Sequence, residues 1–343
     1  MLIDDINRIL IIQLRQIGDV LLTTPFVKVL KENKKDCHIT FLTEEAPAQV
    51  LYNNPYIDRI ILFKKEKNPL RDIKFFTSLR KHKFDFVVDL LGTPGTALAS
   101  ILCGAKYRAG YALRGRKYAY NLKVMFNQHL KYNALRKLEI LELIGIKEKT
   151  HRLLLNLTDE DRKKALQFFN YKGINDRDFV VSISPTSRRQ ARRWTKNGFA
   201  ELSNLLVKKY KAKVIFLWGP GEYDYVMEIV NVVDSNVFVI PETNIREMAG
   251  FIEKSHLLIC NDNGQKHIAT ALDIPTITIF GPTSDVVWNP PDREKFRVVK
   301  SNVECIECNK KECKSKICMK LITPHHIEME MLKIKEIERF IRK

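Results

Sequence analysis

The sequence predicts an α/β protein built as two successive Rossmann-like halves with mainly parallel sheets. Short apolar runs alternate with stretches whose apolar residues recur at helical spacing, no hairpin signal joins the runs, and the alternation restarts near the middle of the chain. Strands that alternate with helices are joined by right-handed crossovers, which makes the sheets parallel.

The elements follow in order. Arg8–Leu14 is a near-continuous apolar run of the kind buried on both faces of a parallel sheet. Gly18-Asp19 makes a turn, and Val20–Leu30 continues with apolar residues at helical spacing. Further strands are predicted at His38–Leu42, Arg59–Phe63 and Phe84–Leu90, with a helix over Asn68–His82. A charged helical stretch, Asp159–Asn170, precedes the second half. There the strands are Asp178–Ser184, Lys213–Trp218, Leu257–Cys260 and Thr276–Phe280. The helices between them are Asn197–Tyr210, Tyr223–Val233 and Lys266–Leu272. This places one domain over residues 1–160, a second over 175–325, and a tail, 326–343, whose helix Glu328–Arg342 is expected to pack back on the first domain.

A chain of 343 residues suits two such domains. No run approaches the roughly 18 apolar residues of a membrane span, and the N-terminus shows no basic leader, so the chain reads as cytoplasmic. The net charge of +18, from 58 Lys plus Arg against 40 Asp plus Glu, points to an anionic partner: nucleic acid, an acidic membrane surface or a phosphorylated substrate. A surface generally decorated with lysine gives the same number. No RNA- or DNA-binding module is recognisable, so nucleic acid is the weaker choice.

In open parallel sheets ligands sit outside the carboxyl ends of strands. Four polar loops fall there: Gly18-Asp19, Ser184–Trp194, Gly219–Glu222 and Asn261–His267. The last opens a helix, where unsatisfied N–H groups and the helix dipole favour phosphate. Asp262 or Asn263 equally serves as a plain helix cap, and Gly264 permits close approach of a ligand. Arg188, Arg189, Arg192 and Arg193, beside Thr186 and Ser187, form a donor group suited to a diphosphate. Asp19 reads either as a cap or, ionised at neutral pH, as a proton acceptor.

Taken together these residues resemble glycosyltransferase family 9, the lipopolysaccharide core heptosyltransferases. The resemblance covers nearly the whole chain. It rests on Ile12–Pro25, on Trp194 closing the arginine-rich loop, on Trp218-Gly219, and on Asn261-Asp262-Asn263-Gly264 with His267. Ala269, Ala271, Pro275 and Phe280-Gly281-Pro282-Thr283 complete it. The resemblance implies a GT-B architecture, two Rossmann-like domains facing a cleft, and inverting transfer of heptose from ADP-heptose to the inner core of a lipid-linked oligosaccharide. It implies that Asp19 is the general base and that Arg192 contacts the donor phosphates. Glu222 then holds the ribose, while Asp262, Asn263 and Gly264 hold sugar and diphosphate, with Thr186, Ser187 and His267 beside them. Lysine is frequent in the family where Arg192 stands, and proline or leucine where Gln265 stands, so the donor sugar stays open within the family.

The acceptor is expected on the first domain. Lys106–Tyr118 interleaves cations with aromatics, and Arg108, Arg114, Arg116 and Lys117 are the candidate contacts for an anionic lipid A-core glycolipid. Lys64, Lys65 and Lys67 add to the patch, which suits peripheral association with the cytoplasmic face of the inner membrane. The chemistry asks for no cofactor, and no Asp-x-Asp pair of the kind that holds a catalytic metal stands on a strand-following loop. Cys305, Cys308, Cys313 and Cys318, spaced C-x2-C-x4-C-x4-C, are candidates for a structural metal or simply free thiols.

Overall fold

The computed structural model describes residues 2–125 and 130–341. The chain divides into two compact units, Met1–Asn156 and Leu157–Lys343. The division places the charged helix, Asp159–Tyr171, wholly in the second unit.

In the first unit six strands form one parallel sheet: β1 Arg8–Ile12, β2 His38–Thr43, β3 Arg59–Leu62, β4 Phe86–Asp89, β5 Tyr107–Tyr111 and β6 Leu122–Val124, in the order β3-β2-β1-β4-β5-β6. β1 and β4 are central and buried, as their apolar runs require. The order reverses between them, with Ile12 paired to Asp89 at their carboxyl ends. β5 and β6 escape the sequence reading because Arg108, Gly110 and Lys123 interrupt any apolar run.

The helix expected over Val20–Leu30 is two helices, Ile17–Leu21 and Thr24–Asn33. Pro25 sits in the first turn of the second, where its missing N–H costs nothing. Thr23 Oγ1 closes the break by donating to the Asp19 carbonyl at 2.9 Å. The predicted Asn68–His82 helix begins at Pro69 behind an Asn68 cap and ends in a 3-10 turn, Leu79–His82.

The second unit repeats the plan with β7 Val180–Ser184, β8 Lys213–Phe216, β9 Phe238–Val239, β10 Leu257–Asn261, β11 Thr276–Ile279 and β12 Phe296–Val299. Its order, β12-β11-β10-β7-β8-β9, is again all parallel, and reverses between β7 and β10. Helix Asp159–Tyr171 packs closely on helix Ile245–Glu253: a Cβ at Gly250 would lie 2.6 Å from the Asp161 carbonyl oxygen. Arg246, only 9% exposed, clamps the same pair of helices through Asp161 at 2.6 Å.

The C-terminal segment departs from expectation. The predicted single helix is a helix Pro324–Met331, a 3-10 turn Lys335–Ile337 and a short helix Glu338–Ile341; Arg342 lies outside the described residues. Ile327, Met331, Ile334 and Ile337 are buried in the core of the second unit, and Phe340 stacks on Phe179 at 5.2 Å. Glu328 anchors the segment to Lys209 and Tyr210. These buried apolar residues belong to the core of the second unit.

Candidate functional site

The strand-order reversal of each sheet is where an open parallel sheet leaves a crevice for a ligand. Asp19 stands at the reversal of the first sheet and the loops after β7 and β10 at that of the second, and each is described within its own unit.

In the second unit the loops after β7 and β10 are sewn together. Asn261, buried, accepts from the Trp194 amide at 2.9 Å and donates to the Pro185 carbonyl at 2.6 Å. Asn263 caps the helix Gly264–Ala271 by accepting from the Lys266 amide, and its Nδ2 donates to Ser184 Oγ at 2.8 Å and the Thr186 carbonyl at 3.0 Å. Asn263 thus caps the helix and braces the loop after β7. Ser187, also buried, donates to the Asp262 carbonyl.

Asp262 is the hub. Its Oδ2 lies 2.9 Å from Arg192 Nη1 and accepts from Thr283 Oγ1 at 2.8 Å, while its Oδ1 lies 2.7 Å from Lys266 Nζ. Burial pushes this carboxyl upward, but the Lys266 and Arg192 charges overcome it and hold Asp262 well below the usual carboxylate range. Both of its oxygens are engaged within the unit, and one of them holds the Arg192 guanidinium. Lys266, fully buried, also donates to the Trp288 carbonyl at 2.9 Å and sits over the Phe280 ring. Sequence reading passed over Lys266 as a contributor, although its i,i+4 spacing from Asp262 was the available signal.

His267 is buried beside Trp288, and its Nδ1 has no hydrogen-bond partner among the described residues. Burial, reinforced by the Lys266 charge, drives it far below the ordinary imidazole value, so the ring is neutral. Glu222, half-buried after β8, accepts from Thr186 Oγ1 at 2.8 Å and the Gly219 amide at 2.9 Å, both on Oε2. Arg193 donates to the Ser187 carbonyl and stacks over Tyr225, and Arg189 bonds Asn309, so these two hold the loop. Arg188 is exposed.

In the first unit Asp19 is half-buried in the first turn of helix Ile17–Leu21, and its Oδ2 accepts from the Gln16 amide at 3.3 Å. It follows the carboxyl end of β1, as does buried Gln13, and β1 pairs through Ile12 with buried Asp89 at the end of β4. The acceptor candidates separate. Arg114 and Lys117 are exposed on the loop after β5, whereas Arg116 is half-buried with its Nε unpartnered among the described residues. Arg108 instead stands early in β5 and donates to the carbonyls of Ala119 and Ala105, which makes it part of the loop's framework. Lys64, Lys65 and Lys67 are exposed after β3.

Cys305 and Cys308 are exposed, Cys313 is half-buried and Cys318 is buried. Among the described residues no group of three or more His, Cys, Asp or Glu side chains is arranged to hold a metal ion, although Cys305, Cys308 and Cys313 lie close enough for their charges to act on Cys318. No described helix is long and apolar enough to cross a membrane.

Two Rossmann-type units, each carrying its polar loops at its own strand-order reversal, define an α/β protein of the GT-B class. The family model for glycosyltransferase family 9 (heptosyltransferase) matches residues 73–318, and the chain belongs to that family. Lipopolysaccharide heptosyltransferase 1 of Campylobacter coli is 26% identical over 80% of this chain and 84% of its own. A family 9 glycosyl transferase from Veillonella parvula superposes with a TM-score of 0.83 at 22% identity, covering 98% of each chain. An ADP-heptose heptosyltransferase II of E. coli does so with a TM-score of 0.78 at 18% identity, covering 94% of this chain and 97% of that one.

Proposed function

We propose that the chain is an inverting transferase that moves heptose from ADP-heptose to the inner core of lipopolysaccharide or lipooligosaccharide. The observation that carries this reading is what stands at the strand-order reversal within each unit. A carboxylate, Asp19, follows the central strand of the first sheet, and a cation-rich loop set converges at the reversal of the second.

Displacement at an anomeric carbon needs a base for the acceptor hydroxyl and stabilisation of the departing diphosphate. Asp19 supplies the first. Arg192, aimed by Asp262, supplies the second together with the N-terminus of helix Gly264–Ala271. Lys266 reinforces the positive potential without leaving the interior. Glu222, held through one oxygen by Thr186 and Gly219, takes the ribose through the other. The unpartnered Nδ1 of neutral His267 is a donor or acceptor for the sugar or phosphate. Arg114, Arg116 and Lys117 receive the anionic acceptor at the cytoplasmic face of the inner membrane, and the +18 charge favours that surface without invoking nucleic acid. These protein cations do the work a catalytic metal does elsewhere.

Asp19→Asn tests the reading. ADP-heptose binding by calorimetry should persist while transfer falls by two or more orders of magnitude, as removal of a general base requires; near-normal turnover would sink it. A second family 9 reading, transfer of another sugar from another nucleotide, is settled by titrating ADP against UDP and GDP.

A further inference from the structure

Behind Asp19 the first unit buries a lysine that the proposed chemistry has not used. Lys137 lies on the inner face of helix Asn133–Glu142 and is 2% exposed. Its Nζ donates to Gln13 Oε1 at 2.7 Å, and Gln13 Nε2 in turn donates to the Arg15 carbonyl at 2.8 Å. The next residue, Gln16, bonds Asp19 through its amide. A continuous polar chain therefore runs from the ammonium to the loop that presents the carboxylate.

A second carboxylate completes the group. Asp89, fully buried at the end of β4, accepts from the Leu91 and Gly92 amides and from Tyr120 Oη at 2.6 Å. The charges of both Asp19 and Asp89 act on Lys137. Among the described residues the other groups nearby are Tyr120 and Arg116, which act on one another, and Tyr111, which feels Arg136 and Glu139. Tyr132 is buried at the cap of Lys137's own helix. Helix Thr24–Asn33, packed on that helix, carries Lys28 and Lys31 in pairs with Glu32 and Asp58. On β6, Lys123 is exposed.

A buried lysine without hydrogen-bonded carboxylate contact is a standing cost to folding, and an apolar side chain of the same volume is usually at least as stable. Burial pushes the Asp89 carboxyl upward, against the bonds it accepts from Tyr120 and the Gly92 amide. We propose that Lys137 is a positioning residue for Asp19: anchored by Gln13 behind the loop that presents Asp19, its ammonium keeps that carboxylate ionised at the pH of catalysis. Burial brings Lys137 down to about 8 while the two carboxylates resist, so it is still largely protonated near neutrality.

The proposal rests on Asp19 as the base, and its test separates the two claims. The carboxyl carbon of Asp19, assigned with Asp19→Asn, is titrated by 13C NMR in the wild-type chain and in Lys137→Met. The midpoint should rise by about 1–3 pH units, the size of an opposite-charge effect. With ADP-heptose and a lipid A-core glycolipid, the acid limb of the kcat profile should rise with it, KM should stay within about twofold, and activity should recover at alkaline pH. Lys137→Gln, which keeps a bond to Gln13 without the charge, should behave alike and serves if the methionine variant does not fold. An unmoved midpoint, or a loss of kcat equal at every pH, overturns the proposal. Normal transfer by Asp19→Asn overturns the base reading alone, because the NMR midpoint still reports on Lys137.

Discussion

Asp262 and Lys266, one helical turn apart, form an ion pair of 2.7 Å with both side chains essentially removed from solvent. Arg192 closes on the other carboxylate oxygen, so one negative charge organises two cations at the mouth of helix Gly264–Ala271.

Removing the hub should therefore cost more than removing either spoke. Asp262→Ala strands a buried ammonium and is expected to destabilise the second unit by roughly 3–5 kcal/mol, read by denaturant unfolding. Lys266→Met, which leaves Asp262 paired with Arg192 and Thr283, should cost clearly less. Both should weaken ADP binding through loss of Arg192 orientation or of positive potential. Equal stability losses would show that Asp262 is not the organising charge.

Glu222 makes a prediction about nucleotide chemistry. If its free oxygen holds the ribose, Glu222→Ala should raise the ADP Kd about 10- to 100-fold, the worth of roughly 1.5–3 kcal/mol for a charge-assisted hydrogen bond. The loss should largely vanish when 2′-deoxy-ADP replaces ADP, and calorimetry with the two ligands decides it.

Arg114 and Arg116 should separate acceptor from donor. The double alanine variant is expected to raise the acceptor KM several-fold and flatten its salt dependence, while ADP affinity stays unchanged. A parallel loss of ADP affinity would place these cations outside an acceptor surface.

Asp161 links stability to pH. Burial raises its carboxyl, but bonds from Arg246 and from the Thr158 amide and hydroxyl outweigh burial and bring it to about 2, below its ordinary 3.8. A depressed carboxyl contributes stability that is complete above the unfolded value and is lost as pH falls through the folded one. Asp161→Asn should thus cost about 2 kcal/mol at neutral pH and remove part of the acid destabilisation between about pH 4 and pH 2, followed by unfolding at each pH.

What the sequence determined by itself is the local grammar. Apolar runs marked β1, β4, β7 and β10 because central parallel strands are buried on both faces. Loop composition singled out Asp19, Thr186, Arg192 and Asp262, although a plain helix cap explains the two aspartates as well, and Glu222 took its role only from the family resemblance. Only the tertiary structure decided who pairs with whom. Asn263 became a brace because β7 ends beside it, Arg108 was claimed by two carbonyls, and the C-terminal helix was drawn into the second unit by the apolar surface around Phe179. Lys137 was invisible for the same reason: in sequence it is one cation of 58 Lys plus Arg, and only burial against Gln13, 124 residues away, gives it a neighbour worth charging. Local pattern reports which residues can be buried or charged; long-range pairing energy, which depends on geometry alone, selects the partners.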